Sequence, residues 1–137
     1  MIFIRNSNPT TSLFEETVAA LKGAKRAASF VTGMAAISRT LFALLSLRQG
    51  GVTVFDTYGD TFLLFTQVLP EFGVICEVWG TDNHEPLEAS IGRGCDLVYL
   101  ESPTNPTLKL LDLECVDRGG PQSFSTCCRQ QHFCHTH

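Results

Sequence analysis

Four short segments combine small residues, hydroxyls, carboxylates or an amide in ways that could hold an anion or an aromatic ring. They are Val31-Thr32-Gly33-Met34, Asp56-Thr57-Tyr58-Gly59, Gly80-Thr81-Asp82 and Glu101-Ser102-Pro103-Thr104-Asn105-Pro106. A small residue and a Gly before a helix leave the backbone amides open to a phosphate, because no side chain blocks the approach. Each also has an ordinary reading: Thr32-Gly33 as a turn, Tyr58 as a loop aromatic, Asn105-Pro106 as a common turn pair. A second group lies late in the chain, where Cys115, Cys127, Cys128 and Cys134 mix with His132, His135 and His137. Thiolates and imidazoles are the ligands zinc prefers. Adjacent Cys127-Cys128 cannot easily point at one tetrahedral ion and no Cys-x-x-Cys pair occurs, so no specific metal site is expected. Loose metal binding by this tail is the alternative.

The first group needs elements to position it. Ser12-Leu13-Phe14-Glu15 fits a capping box, and Leu13, Phe14, Val18 and Leu21 follow at helical spacing up to Gly23, which predicts a helix over about Ser12 to Lys22. Ala27 to Val31 reads as a short buried strand leading through Thr32-Gly33 into a helix over Met34 to Leu47. The alternation repeats with strands at Val52–Phe55, Val74–Trp79 and Asp96–Glu101, and with helices at Asp60–Leu69 and Glu85–Ile91. Strands separated by helices imply an α/β fold with a mostly parallel sheet and helices on both faces. In such sheets ligands sit at the carboxyl ends of the strands, and that rule selects the same four segments.

Composition narrows the class. The chain has 137 residues, of which 44% are apolar and 18% charged, a globular composition with room for one domain. Ten Lys+Arg against 14 Asp+Glu leave a net charge of −4, which argues against nucleic acid or an anionic membrane as partner. Apolar stretches are interrupted by Arg39 and Arg48 before a span of about 20 residues is reached, and no basic region with an apolar core opens the chain. A cytoplasmic location is expected.

Taken in order, the motifs resemble those of the pyridoxal-phosphate enzymes of cysteine and methionine metabolism, the transsulfuration family of cystathionine synthases and lyases, methionine lyase and homoserine sulfhydrylases. Ile4-Arg5-Asn6-Ser7-Asn8-Pro9-Thr10 is similar to the family's Tyr-Ser-Arg-x-x-Asn-Pro-Thr segment, and Thr32-Gly33-Met34-Ala35-Ala36-Ile37 to its Ser/Thr-Gly-Met-x-Ala-Ile turn. Tyr58-Gly59-Asp60-Thr61 resembles Tyr-Gly-x-Thr, and Glu101-Ser102-Pro103-Thr104-Asn105-Pro106 resembles Glu-Ser-Pro-x-Asn-Pro. The resemblance implies part of the large cofactor-binding domain of a fold type I enzyme over residues 1–113, with pyridoxal 5'-phosphate as cofactor and a sulfur amino acid as substrate. It also implies roles. Gly33 and Met34 would hold the phosphate by their amides. Tyr58 would stack on the pyridine ring and take part in proton transfer, and Asn105 would hydrogen-bond the phenolic oxygen. Arg5 would reach the phosphate of a neighbouring subunit in a homo-oligomer. Phe3 and Ile4 depart from the pattern, and Phe3 lacks the hydroxyl that helps hold that phosphate.

The resemblance also shows what these residues lack. Family chemistry begins at a Schiff-base Lys in a Ser-x-Thr-Lys setting, with an Asp against the pyridine nitrogen. The only lysines are Lys22, Lys25 and Lys109, and none has that setting. The chain also begins at the Arg motif, without the family's amino-terminal arm. After Leu113 the family's helix and hydrophobic strand give way to a Cys- and His-rich run with neither helical nor strand periodicity. Back-translated and shifted by one base, Gly120-Pro121-Gln122 permits Ala-His-Lys, Thr126-Cys127-Cys128 permits Leu-Val-Val, and the final residues permit Asn-Thr-Phe-Ala-Thr-Pro. Residues 114–137 are therefore expected to be an out-of-frame, disordered tail. The expected function is an inactive fragment of a C–S lyase or γ-replacement enzyme. The alternative is a non-catalytic product that pairs with an intact paralogue.

Overall fold

Pro9 and Asn8 set the start of the first helix. In a computed structural model that describes residues 8–82, 85, 89–90, 92–111 and the backbone of 126–130, helix α1 spans Pro9–Lys22. The Asn8 side chain accepts the Thr10 amide at 3.0 Å, and Pro9, whose ring presets helical φ, occupies the first turn. This moves the start from the expected Ser12 cap to Asn8, because an Asn-Pro pair satisfies the first turn more completely than a Ser three residues further on. Gly23 closes the helix in the left-handed region at φ 63°, where its missing Cβ removes the steric cost.

The chain divides into two compact units, 1–36 and 37–137. Within the first, Glu15 Oε1 accepts both the amide and the hydroxyl of Ser29 at 2.7 Å, tying the segment after Gly23 back to α1. These bonds hold the Glu15 carboxyl below its ordinary range. Ala27 to Val31, expected as a strand, forms none, and Val31 is 98% exposed. A strand exists only through a neighbour's ladder, and among the described residues none pairs with this segment. Helix α2, Gly33–Leu44, stops short of the expected Leu47.

In the second unit, β1 (Gly50–Val54), β2 (Ile75–Trp79), β3 (Leu97–Glu101) and β4 (Thr126–Gln130) form one sheet in the order β2-β1-β3-β4, with every pair parallel. The expected α/β class and parallel sheet are therefore present. Asp96 sets the register of the central pair: its carboxylate accepts the Gly50 amide at 2.7 Å while its own amide donates to the Gly50 carbonyl at 2.9 Å. One face of the sheet buries Val52, Val54, Val98 and Leu100, with Trp79, Cys95 and Leu111 packed against them. On the other, Gly51 lets Leu45 and Phe65 approach closely, and the Phe65 ring lies 5.9 Å from that of Tyr99.

Phe65 belongs to a continuous helical run made of α3 (Gly59–Leu63), a π-helical turn (Leu64–Val68) and α4 (Leu69–Glu71). Pro70 explains the wide turn. It has no N–H to return to the preceding carbonyls, and the Leu69 amide reaches back to Leu64 O instead. The expected helix at Glu85–Ile91 lies largely outside the described residues, though Glu85, Ala89, Ser90 and Gly92 are helical.

Strand β4 lies within the residues expected as a disordered tail. Thr126–Gln130 pairs residue for residue with Leu97–Glu101, although its sequence carries no strand alternation. An edge strand gains its order from the neighbour's free backbone groups, a long-range cause that local periodicity does not display. The other residues of 112–137 lie outside the described ones, and with them the frameshift boundary near Leu113 and the His cluster.

Candidate functional site

All four strands run the same way, so their carboxyl ends line one edge of the sheet. The segments that follow β1, β2 and β3 meet there. Phe55 N–H donates to Trp79 O at 2.7 Å and carries the β1–β2 pairing one residue past the strands. Lys109 then joins all three loops: its Nζ stands 3.1 Å from Asp56 after β1, and 2.8 and 3.0 Å from the two oxygens of Asp82 after β2. The loop after β3 that presents Lys109 is closed on itself, with the Thr104 hydroxyl accepting the Lys109 amide at 2.9 Å and lying 2.7 Å from the Thr107 hydroxyl.

Asp56 is the better shielded carboxylate of the pair. The Thr81 hydroxyl, and after it Lys109, holds its carboxyl below the ordinary 3.8. Lys109 is pushed above its ordinary 10.5 by Asp82 first and Asp56 second, which favours the ammonium form. On β2, Glu77 accepts from Ser90, from Trp79 Nε1 at 3.2 Å and from Arg93 at 3.0 Å; the Ser90 bond, then Arg93, holds it below the ordinary 4.5. Burial pushes the Cys76 thiol up to about 11, so this cysteine is inert at neutral pH.

These shifts have a sign. A depressed carboxylate contributes stability above its unfolded value and loses it as pH falls through the folded one, so Asp56, Glu77 and Glu15 all weaken the fold in acid. Lys109 does the reverse, contributing below 10.5 and losing its share above. The melting midpoint is expected to fall as pH drops from about 5 to about 3 and to stay level through neutrality. A midpoint unchanged across that acid window would contradict the assignment.

Of the residues singled out in the sequence, Tyr58 and Asn105 stand on loops that follow the paired strands β1 and β3. Tyr58 caps α3, with its side chain 43% exposed. Asn105 is half-buried in the Thr104–Thr107 turn. Gly33 and Met34 lie in the first unit, at the start of α2, where the Thr32 hydroxyl accepts the Ala35 amide at 3.1 Å and the Thr32 carbonyl accepts the Ala36 amide at 3.1 Å. No atom lies within 4 Å of the place a Gly33 Cβ would occupy, so the backbone there is open to a phosphate oxygen as a glycine cradle requires. The open backbone at Gly33 fits the approach of a phosphate oxygen. Arg5 lies outside the described residues.

Two features escaped the sequence reading. Lys109, noted there only as a lysine outside the Schiff-base setting, is held by two carboxylates. Glu101, read only as part of a motif, is fully buried with its carboxyl facing Tyr58, Thr61 and Tyr99. The available signal was that Asp56 and Asp82 follow expected strands and Glu101 ends one.

Among the described residues no helix is long and apolar enough to cross a membrane, and no cluster of His, Cys, Asp or Glu could hold a metal ion. Residues 1–120 match the family described as Cys/Met metabolism PLP-dependent enzyme. The chain is 39% identical over 114 residues to cystathionine beta-lyase MetC of Bacillus subtilis, covering 83% of this chain and 29% of the relative. It is 38% identical over 117 residues to the L-methionine gamma-lyase of Fusobacterium nucleatum subsp. nucleatum, covering 85% and 30%. Among solved structures, metB from Corynebacterium glutamicum superposes with a TM-score of 0.84 at 33% identity, over 94% of this chain and 34% of that one. The chain therefore spans about a third or less of the proteins it matches. With its parallel sheet, its strand-end motifs and these likenesses taken together, the chain belongs to the pyridoxal-phosphate-dependent enzymes of cysteine and methionine metabolism.

Proposed function

We propose that these 137 residues form part of the cofactor cradle of a sulfur amino acid lyase or γ-replacement enzyme, and that by themselves they retain pyridoxal phosphate without catalysing turnover. Gly33 and Met34 would receive the phosphate, Tyr58 would cover the ring face, and Asn105 would hold the ring's phenolic oxygen. When bound, the cofactor supplies an electron sink for carbanionic character at the substrate's α carbon. Arg5 would serve a neighbouring subunit in an oligomer. The carrying observation is Lys109. Among the described residues it is the one lysine on the strand-end loops, and its ion pairs with Asp56 and Asp82 favour the ammonium form over the free amine that an aldehyde needs.

Borohydride reduction tests this reading. After incubation with pyridoxal phosphate and reduction, peptide mapping is expected to find no lysine labelled stoichiometrically. Full labelling of Lys109 would overturn it. A second reading, association with an intact relative, draws on α1, whose Leu13, Phe14 and Leu21 are 65%, 59% and 81% exposed. Co-purification with a tagged intact enzyme, abolished by Leu21→Glu, would favour that reading.

A further inference from the structure

Glu101 is a fully buried carboxyl group to which no step has yet been assigned. It closes β3, and its two oxygens are divided between neighbours. Oε2 accepts the Tyr58 amide at 3.1 Å, while Oε1 accepts the Tyr99 hydroxyl at 2.9 Å and faces the Thr61 hydroxyl at 3.4 Å. The backbone register between β1 and β3 reaches only as far as Thr53 and Tyr99. Beyond that point no further β1–β3 register is formed, and the Glu101 side chain at the end of β3 carries the connection onward to Tyr58.

We infer that Glu101 is a positioning residue for Tyr58, fixing the backbone from which the aromatic ring projects over the cofactor site. The inference rests on the proposed role of Tyr58 in covering the ring. The Tyr58 side chain is 43% exposed, so packing constrains it weakly and its place depends on its backbone. That backbone also starts α3, and Thr61, bonded to the same carboxyl, lies one turn further along. One buried group thereby sets both the position of Tyr58 and the direction of the helix that follows. A buried polar group of this kind is costly unless its hydrogen bonds are made, and here the three donors come from β3 itself, the β1 loop and α3.

The test uses the full chain and pyridoxal phosphate as probe, with two readouts. Glu101→Leu removes the acceptor; Glu101→Gln keeps one for the Tyr58 amide, because the Tyr99 and Thr61 hydroxyls can turn to accept from its NH2 group. Glu101→Leu is expected to weaken cofactor binding by about tenfold, the equivalent of one lost hydrogen bond, and Glu101→Gln to restore most of it. In a Tyr58→Ala background the Glu101→Leu effect should vanish, whereas an effect of equal size there would show a general structural role and overturn the inference. Independently of the cofactor, the Tyr58 amide proton in a 15N-labelled chain should move upfield in Glu101→Leu and return in Glu101→Gln. Should the unsubstituted chain fail to bind pyridoxal phosphate, the proposed function falls, and the amide alone decides: a Tyr58 resonance unmoved in Glu101→Leu overturns the positioning role, and an upfield shift upholds it. If Glu101→Leu does not fold, Glu101→Asp, one methylene too short to reach Tyr58, takes its place with the same expected outcomes.

Discussion

Ending the chain at Leu111 is expected to lower stability and promote aggregation. Truncation there removes β4 and its five-residue register with β3, from Leu97–Thr126 to Glu101–Gln130. Each net backbone hydrogen bond contributes about 0.5–1.5 kcal/mol, so the lost ladder amounts to on the order of 3 kcal/mol. All five residues of β3 are buried, so the cut also exposes an apolar strand with unpaired amides and carbonyls, the surface most prone to pair with another chain. The melting midpoint should fall by roughly 10 °C and light scattering should rise at micromolar concentration. A truncated chain that melts with the full one would mean that the ladder contributes nothing. Removing only residues 131–137 leaves β4 in place and serves as the control.

Phe65→Ala carries the second large effect. Phe65 is fully buried at the π-helical turn, in reach of Gly51 on β1 and against the ring of Tyr99 on β3. Deleting its ring leaves a cavity between the helical run and the sheet, with an expected cost of about 3–5 kcal/mol in denaturant unfolding. Phe65→Leu, which refills most of the volume, should cost about 1.5 kcal/mol or less. Equal losses from the two substitutions would show that the site collapses freely and that the helix does not seat on β1 and β3 through this side chain.

The elements legible in the sequence are those whose cause is local. Val52 to Phe55, Val74 to Trp79 and Asp96 to Glu101 are short apolar runs set between Gly or polar residues, and each appears as a strand within two residues of its expected bounds. Ala27 to Val31 has the same look and fails, because apolar character permits a strand while only a neighbour creates one. Thr126–Gln130 is the converse, a polar, cysteine-bearing stretch ordered by the edge of β3.

The site divides in the same way. Tyr58 and Asn105 were singled out because motif order and the strand-end rule both select their loops. Glu101 and Lys109 have partners 43 and 27 residues away, Tyr58 and Asp82 respectively, and periodicity does not encode contacts of that span. Arg5 illustrates a different limit: its expected role lies toward a second subunit, and the residue itself lies outside the described ones.

The all-parallel sheet also governs how the molecule assembles in time. Gly50 meets Ile75, Gly51 meets Leu97, and Leu97 meets Thr126, so no strand pairs with its neighbour through a tight turn. Every ladder must wait for a long loop to close, which makes folding slow compared with a hairpin-built sheet of the same size. During synthesis, β1 can pair with β2 early, but β3 enters only after a further stretch of translation, and its outer edge stays bare until Gln130 has left the ribosome. For that interval the nascent chain presents its buried, apolar β3 with one edge unpaired, the state in which it is most prone to pair with another chain.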